Sequence, residues 1–460
     1  MRDHLVGSAR SVGDATVERL DGEPIGRVAA DHRVEAASEA VDFDDVTRLN
    51  AFEAHVGKGT DRGGAGGGGG NDRYSRPTRN AVRVSTPPVG PTSAYGAAGV
   101  DYHALDAGKR RALSAALATS GLLSARGGRA FDESRGEPAF VFELAGQTLA
   151  FVVEGLGTKS VIARQVEEQL GVEVFANVAY DTVAAIVNDL CCVGALPLVV
   201  NAYFATGSSE WYEHEERHTA LLAGWQHACV DAGATWGGGE SPSLPEMVAG
   251  PEIELAGSAV GAVPAGREPI FGDALGVEDE IVFVASSGLH ANGASLARMV
   301  AKELPDGYRT PLPSGRTFGE ALLDPSLIYV PLVQALTAGE LDVHYLSHIT
   351  GHGLLKLMRP RRDLGYRIER LPEVPEVLAF LVKAANMTPA EAYSTFNMGA
   401  GFAVYCAPGT GEDVVSVASE LDLTAHVAGT VEPGPRRVVL EQIDVVFEDS
   451  DMDLTPRRAA

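Results

Sequence analysis

The chain has 460 residues, a formal net charge of −25 and 45% hydrophobic residues, a length that suits about three domains. An acidic excess this large argues against a nucleic-acid groove and against an anionic membrane surface, because both partners are themselves negative. The sequence has no run of 18 apolar residues that predicts a membrane span, and charges throughout its first twenty residues argue against a secretory signal, so a cytoplasmic location is expected.

Residues 1–92 differ in composition from the rest of the chain. A charged stretch to Val56 is followed by a glycine run from Gly63 to Gly70 and then by several prolines. Such a segment cannot bury a core, so we predict that it is mostly disordered. An appendage, or a misplaced start codon, is favoured over a partner-binding segment. The globular part is expected to begin at Ser93.

The first globular elements lead into a glycine turn. A helix is predicted over 107–123, and a hairpin over 140–142 and 149–153 around Gly146. The second strand continues into Glu154-Gly155-Leu156-Gly157-Thr158-Lys159, and a helical pattern follows over 160–170. Glycines free the backbone N–H groups, and the N-terminus of a helix favours phosphate. The spacing matches neither a Walker loop nor the dinucleotide fingerprint, so an ordinary strand-to-helix connection remains an equal alternative.

A second helical pattern carries two acids, Asp181 and Asp189, eight residues apart. This spacing places the two side chains within roughly a quarter turn of each other on a helix. A phosphate cradle, a lysine and several acids indicate a nucleotide with its magnesium ion.

The remaining pattern predicts two halves in which strands alternate with helices. In the first half we predict a strand over 196–204, a helix over 213–232, a glycine turn over 236–240 that ends in an acid, a strand over 253–263, and a boundary over 264–269. In the second half we predict strands over 280–285, 402–405 and 437–440, a short extended run over 327–330, and helices over 292–304, 331–336, 353–358, 376–385 and 412–420. The fold class is therefore α/β (α+β), with domains at 93–266 and 267–448 and a tail at 449–460.

The four cysteines, Cys191, Cys192, Cys229 and Cys406, form no C-x-x-C pair. Their spacing suits neither a zinc site nor a disulfide framework, so we expect small, buried, apolar residues.

Several motifs in a fixed order resemble the aminoimidazole ribonucleotide synthetase family, also called phosphoribosylformylglycinamidine cyclo-ligases, over about residues 94–440. The motifs are Glu154 to Lys159, Val187-Asn188-Asp189, Tyr203-Phe204-Ala205-Thr206-Gly207, Gly238-Gly239-Glu240, Ser286 to Gly293, and Thr395-Phe396-Asn397-Met398-Gly399. Each motif alone is weak, but their order and spacing together are specific.

The resemblance implies a two-domain ATP-binding fold whose N-domain strands pair across a homodimer, with ATP near that interface. It implies an enzyme that uses ATP and Mg²⁺ to phosphorylate the amide oxygen of formylglycinamidine ribonucleotide. A nitrogen of the same small-molecule substrate then attacks the activated carbon, phosphate leaves, and the imidazole closes. No nucleic acid or membrane partner is implied.

Residue by residue, the resemblance assigns three groups of candidate site residues. Metal binding falls to Glu154, Asp189 and Glu240. Nucleotide binding falls to Gly155, Gly157, Thr158, Lys159, Asp181 and Asn188. Catalysis falls to Lys159, His290 and Asn292. Structural roles remain as alternatives: Asp181 as a helix cap, Glu240 as the end of a turn, and His290 as a satisfied core histidine.

The chain departs from the family pattern at several places. Glu154 stands where the family has Asp, His352 where it usually has Gly, and Ser208 where Lys is common, and a G-G-F-G loop is missing. These departures leave two alternatives open besides the cyclo-ligase. One is an ATP-dependent kinase of small metabolites from the same superfamily, and the other is a nucleotide-binding regulator without catalysis.

Overall fold

The computed structural model describes residues 102–452, apart from 340 and 361. The predicted disordered segment 1–92 and the last eight residues of the predicted tail lie outside this range. The described part contains two mixed sheets, one from each half of the chain, and helices pack against them.

The first sheet has six strands in the spatial order β1-β2-β3-β6-β4-β5. The strands are β1 (Gly128–Ala130), β2 (Phe140–Leu144), β3 (Gln147–Gly155), β4 (Leu196–Thr206), β5 (Thr235–Glu240) and β6 (Ile253–Ala262). All neighbours are antiparallel except β4 and β5. The predicted hairpin around Gly146 is confirmed as β2 and β3.

Helices in this half are Tyr102–Leu117, Lys159–Leu170, Phe175–Cys191 and Glu215–Asp231. The helix Phe175–Cys191 lies against β3 and β6, and its close approach depends on glycine. A Cβ on Gly261 would lie 2.6 Å from a methyl carbon of Leu190 and 2.6 Å from the carbonyl oxygen of Leu196, so a larger residue there would disturb both the helix contact and the pairing of β6 with β4. This packing places Asp189, near the end of the helix, beside the end of β3.

The opposite face of the first sheet is open to solvent and partly apolar. Phe151 and Val153 on β3, and Leu198 and Tyr203 on β4, are exposed, with Val153 at 64%. Alternation along β3 explains the pattern, because Ala150 and Val152 point to the helices and their neighbours point away.

The second sheet has seven strands in the order β13-β12-β9-β11-β7-β10-β8. The strands are β7 (Glu280–Ala285), β8 (Val343–His348), β9 (Leu364–Ile368), β10 (Ala400–Cys406), β11 (Ala425–Pro433), β12 (Arg437–Leu440) and β13 (Val445–Glu448). Only β12 and β9 run parallel. The α-helices of this half are Ala294–Glu303, Phe318–Leu322, Val330–Ala338, Glu376–Ala384, Pro389–Tyr393 and Gly411–Glu420.

One predicted element was wrong. Residues 236–240 were expected to form a glycine turn, but they belong to β5, which pairs in parallel with β4. A Cβ on Gly239 would lie 2.2 Å from the carbonyl oxygen of Ala202, so the glycines permit close strand pairing and do not form a turn.

The helix predicted over 107–123 spans Tyr102–Leu117, and the segment 353–358, predicted as a helix, is a 3₁₀ helix. One more strand, β13, follows the predicted strand at 437–440. The sequence patterns missed β1, β8, β9, β11 and β13. All four cysteines are buried free thiols, as expected. No helix within the described residues is long and apolar enough to cross a membrane.

Candidate functional site

A cavity of about 450 Å³ opens where the end of β3 meets the helix Phe175–Cys191 and the segment that follows β8. Its lining combines acidic, basic and glycine residues from distant parts of the chain. The lining residues are Lys109, Leu113, Gly136, Glu137, Pro138, Glu154, Gly155, Leu156, Ala185, Asp189, Ala291, Asn292, His348, Thr350, Gly351, His352, Lys356 and Arg359.

Glu154 enters the cavity because of its position in β3. It continues the inward row of Ala150 and Val152 and lies one residue before the end of the strand, where it is half-buried. Burial, followed by the negative charge of Asp189, raises the pKa of Glu154 to about 7. Both the protonated and the ionised form of the Glu154 carboxyl group are therefore populated at neutral pH.

Asp189 is held in place by His348, the last residue of β8. Nδ1 of His348 lies 2.7 Å from Oδ1 of Asp189. Burial acts to raise the pKa of Asp189, but the hydrogen bond and charge of His348 outweigh it, and the pKa lies below its usual value. Burial lowers the pKa of His348. A neutral imidazole that donates from Nδ1 to an ionised carboxylate accounts for both directions.

Two cations lie in the segment after β8. Lys356, in the 3₁₀ helix Gly353–Met358, donates to the carbonyl oxygen of His348 at 3.3 Å and to the hydroxyl of Thr350. Burial, followed by the charge of Arg359, lowers the pKa of Lys356 to about 8. Arg359 follows directly after this helix and lines the same cavity.

Four of the predicted site residues line the cavity, namely Glu154, Gly155, Asp189 and Asn292. They come from the predicted metal, nucleotide and catalytic groups, so the structure brings members of all three groups together.

Lys159 and Asp181 lie inside the protein and do not line the cavity. Lys159 Nζ is 2.5 Å from Asp181 Oδ2, and neither side chain has any solvent exposure. Asp181 Oδ1 also accepts hydrogen bonds from the backbone N–H and the hydroxyl of Ser326, at 2.7 and 2.6 Å.

Asn188 makes a similar internal connection. Its amide nitrogen donates to the carbonyl oxygen of Leu327 at 2.8 Å, and its amide oxygen accepts from the N–H of Tyr329 at 2.8 Å. Asp181 and Asn188 therefore hold the segment 326–329 against the helix Phe175–Cys191.

The other predicted residues do not line the cavity. Gly157 has a φ of 69°, which glycine adopts without strain, and the hydroxyl of Thr158 lies 3.2 Å from that of Ser295. His290 is buried, Ser287 N–H donates to its Nε2 at 3.2 Å, and burial holds its pKa well below the usual value. Glu240 is exposed on β5 and pairs with Tyr203 on the open face of the sheet, apart from the cavity.

The carboxylate oxygens in the cavity suit a magnesium ion whose coordination shell is completed by a bound ligand. Within residues 102–452, no three His, Cys, Asp or Glu side chains form a ready metal site. Mg²⁺, however, is commonly held by one or two protein carboxylates together with substrate phosphates and water. Glu154 and Asp189 supply two adjacent carboxylates, and a cation beside Glu154 would relieve the repulsion that raises its pKa.

Sequence reasoning missed His348, Lys356 and Arg359 as site residues. A signal was present, since Gly351-His352-Gly353 is a glycine-rich turn before a helical segment with two cations three residues apart. No periodicity in the sequence, however, places this segment opposite Glu154.

Comparison with known proteins finds the same family that the motifs indicate. The family model "AIR synthase related protein, N-terminal domain" matches residues 136–263, and "AIR synthase related protein, C-terminal domain" matches residues 276–441. The curated protein "Phosphoribosylformylglycinamidine cyclo-ligase" of Methanococcus vannielii is 33% identical over 300 residues, which cover 65% of this chain and 82% of the relative. The protein of the same name from Methanothermobacter thermautotrophicus is 34% identical over 308 residues, which cover 66% of this chain and 86% of the relative.

Solved structures of lower similarity also match. A thiamine monophosphate kinase from Aquifex aeolicus aligns with a TM-score of 0.44 and 17% identity, covering 66% of this chain and 91% of that one. The E. coli hydrogenase maturation protein HypE aligns with a TM-score of 0.47 and 15% identity, covering 67% of this chain and 87% of that one.

Proposed function

The chain belongs to the family of AIR synthase related proteins, and from this membership we propose that it is an ATP-dependent phosphoribosylformylglycinamidine cyclo-ligase. The observation that carries the proposal is the identity of about one third to relatives of that name, over more than four fifths of their length. The cavity adds support, because it joins carboxylates suited to Mg²⁺ with cations suited to phosphate.

In the proposed reaction, the amide oxygen of formylglycinamidine ribonucleotide attacks the γ-phosphorus of ATP, and ADP leaves. A nitrogen of the same substrate then attacks the activated carbon, inorganic phosphate leaves, and the imidazole ring closes. Such a reaction needs positioning and charge neutralisation more than covalent catalysis.

Glu154 and Asp189 would hold Mg²⁺, which when bound would neutralise charge on the transferred phosphoryl group. His348 keeps Asp189 in position through the 2.7 Å hydrogen bond. Gly155, which lines the cavity, would leave its backbone open to a phosphate, and Asn292, half-buried in the lining, would contact the ribonucleotide.

The buried residues would act through the shape of the site. Lys159, Asp181 and Asn188 hold the backbone on which the cavity is built, and Gly157 and Thr158 shape the turn before Lys159. His290 accepts a hydrogen bond from the N–H of Ser287 at its Nε2, and this bond would keep the 287–292 turn in the position that presents Asn292.

The homodimer and the location belong to the same proposal. Exposed Phe151, Val153, Leu198 and Tyr203 form an apolar area on the open face of the first sheet, which a second copy would cover. Glu240 lies on that face beside Tyr203, so it would reach a nucleotide only at such an interface. We also propose that the enzyme is cytoplasmic. The boundary between its two domains would lie between residues 266 and 267.

ATP turnover, measured with and without formylglycinamidine ribonucleotide, tests the proposal. We expect ADP release that depends on the ribonucleotide and is matched by formation of aminoimidazole ribonucleotide. Rescue of a purine auxotroph by the gene should accompany it. Turnover with other small metabolites but not with this ribonucleotide would favour the kinase alternative, and ATP binding without any turnover would favour the regulator.

A further inference from the structure

Arg359 lines the cavity with a buried guanidinium group. Its Nε and Nη1 atoms are buried and have no hydrogen-bond partner among the described residues. Burial acts to lower the pKa of Arg359, but Tyr345 and the carboxylates of Glu137 and Asp189 outweigh it, so the pKa lies above the usual value. Each of those carboxylates has another partner, since Tyr345 donates to Glu137 at 2.8 Å and His348 donates to Asp189.

Buried guanidinium N–H groups without acceptors cost free energy, because they have lost hydrogen bonds to water and gained none in exchange. A ligand that supplies acceptors for Nε and Nη1 would remove this cost. The planar N–H fork of arginine matches the two oxygens of a phosphate or carboxylate.

Lys356 strengthens the same end of the cavity. Its ammonium group donates to the carbonyl oxygen of His348 and to the hydroxyl of Thr350, and these two bonds use two of its three N–H donors. Two cations three residues apart in a helical turn therefore line one side of the cavity, and Glu154 and Asp189 line another.

We propose that Arg359 and Lys356 form a phosphate-binding site in this cavity. The inference deepens the proposed function, because the phosphate would belong either to ATP or to the ribonucleotide. A carboxylate pair that suits Mg²⁺ lies in the same cavity, and Mg²⁺ and phosphate oxygens bind together in most enzymes of this kind. A simple carboxylate ligand would use the arginine fork but would gain little from the adjacent metal site.

The test compares Arg359→Met, Arg359→Lys and the matched control Arg129→Met, an exposed arginine on β1 outside the cavity. Calorimetric titration with inorganic pyrophosphate in the presence of Mg²⁺ measures binding without requiring the reaction. We expect Arg359→Met to weaken pyrophosphate binding by roughly ten- to a hundredfold, the effect of losing hydrogen bonds to a charged group. Arg359→Lys should fall between it and the wild type, and the control should bind normally.

The melting temperature of the ligand-free protein separates a binding role from a structural one. Arg359→Met should melt close to the wild-type temperature, because Nε and Nη1 have no described acceptor to lose and only the attraction of Glu137 and Asp189 is removed. A large fall in melting temperature, or unchanged pyrophosphate binding, would overturn the proposal.

Titrations with ATP alone and with formylglycinamidine ribonucleotide alone then identify the source of the phosphate. The ligand whose affinity falls in Arg359→Met is the one whose phosphate the site binds, and no fall for either would also overturn the inference. Normal pyrophosphate binding by the wild type without ribonucleotide-dependent turnover would contradict the proposed function and leave the phosphate site standing.

Discussion

Lys159 Nζ lies 2.5 Å from Asp181 Oδ2, and both side chains are completely buried. The pair links the first turn of one helix to the middle of the next, and Asp181 also accepts two hydrogen bonds from Ser326. The sequence predicts that Lys159, which follows the glycine turn, contacts a phosphate, but its ammonium group forms a buried ion pair with Asp181. We therefore expect its substitution to affect the stability of the fold first.

Lys159→Met should lower the free energy of unfolding by about 3–5 kcal/mol, because it leaves the Asp181 carboxylate buried without its partner. The double variant Lys159→Met/Asp181→Asn should lose less than the sum of the single variants. Urea unfolding measures both, with the exposed Lys302→Met as a control that should change little. Wild-type stability of Lys159→Met, combined with lost ATP turnover, would instead assign Lys159 to phosphate.

Glu154→Ala should lower kcat at saturating ATP by roughly 10²-fold or more, since it removes charge stabilisation around the transferred phosphoryl group. Raised Mg²⁺ should restore part of the rate, and Glu154→Asp should be partly active because its carboxylate is one methylene farther back. Glu303→Ala, on an exposed helix surface, serves as the control. A wild-type rate for Glu154→Ala at limiting Mg²⁺ would refute the metal-binding role.

The raised pKa of Glu154 also predicts a pH dependence of stability. The folded protein holds this proton up to a pKa of about 7, whereas the unfolded chain releases it near the usual glutamate pKa of 4.5. The folded state therefore binds more protons between these values, and this stabilising contribution is present at low pH and is lost as pH rises toward 7. Urea unfolding in a metal-free buffer should show this loss in the wild type and a flatter profile in Glu154→Gln. Equal slopes for the two proteins would contradict the assignment.

Val153→Glu should weaken a homodimer, because it places a charge on the open apolar face of the first sheet, where Val153 is 64% exposed. Light scattering should give the wild type twice its chain mass of 48.2 kDa and the variant a lower mass. Met247→Glu is a suitable control, since Met247 is 81% exposed and lies outside the strands. A monomeric wild type at micromolar concentration would refute the dimer.

A protein that starts at Ser93 should keep its melting temperature and ATP turnover, because the composition of 1–92 cannot bury a core. A protein that starts at Gly121 should bind nucleotide poorly, because it lacks the helix Tyr102–Leu117, which brings Lys109 and Leu113 to the cavity. Differential scanning fluorimetry with and without ATP measures both. A large loss in the first protein would show that residues 1–92 dock on the rest.

Local patterns in the sequence predicted the elements around Glu154 well. An apolar run predicted β3, and the helical period predicted the helices that follow, because these features depend on neighbours within a few residues. The exposure of Phe151 and Val153 on one face of β3 was not predicted. The same kind of reasoning failed at 236–240, since the glycines there serve the pairing of β5 with β4, which a single segment does not reveal.

The sequence by itself determined the family, through motifs whose order survives in the linear chain, and it predicted a shared metal site for Glu154 and Asp189, two residues that line one cavity. Only the tertiary structure decided the partners of the charges. It turned Lys159 toward Asp181, tied Asp181 to Ser326 at a separation of 145 residues, and brought His348, Lys356 and Arg359 to the cavity. Periodicity reports which face of an element a residue occupies. It does not report what lies against that face, because that depends on how distant elements pack.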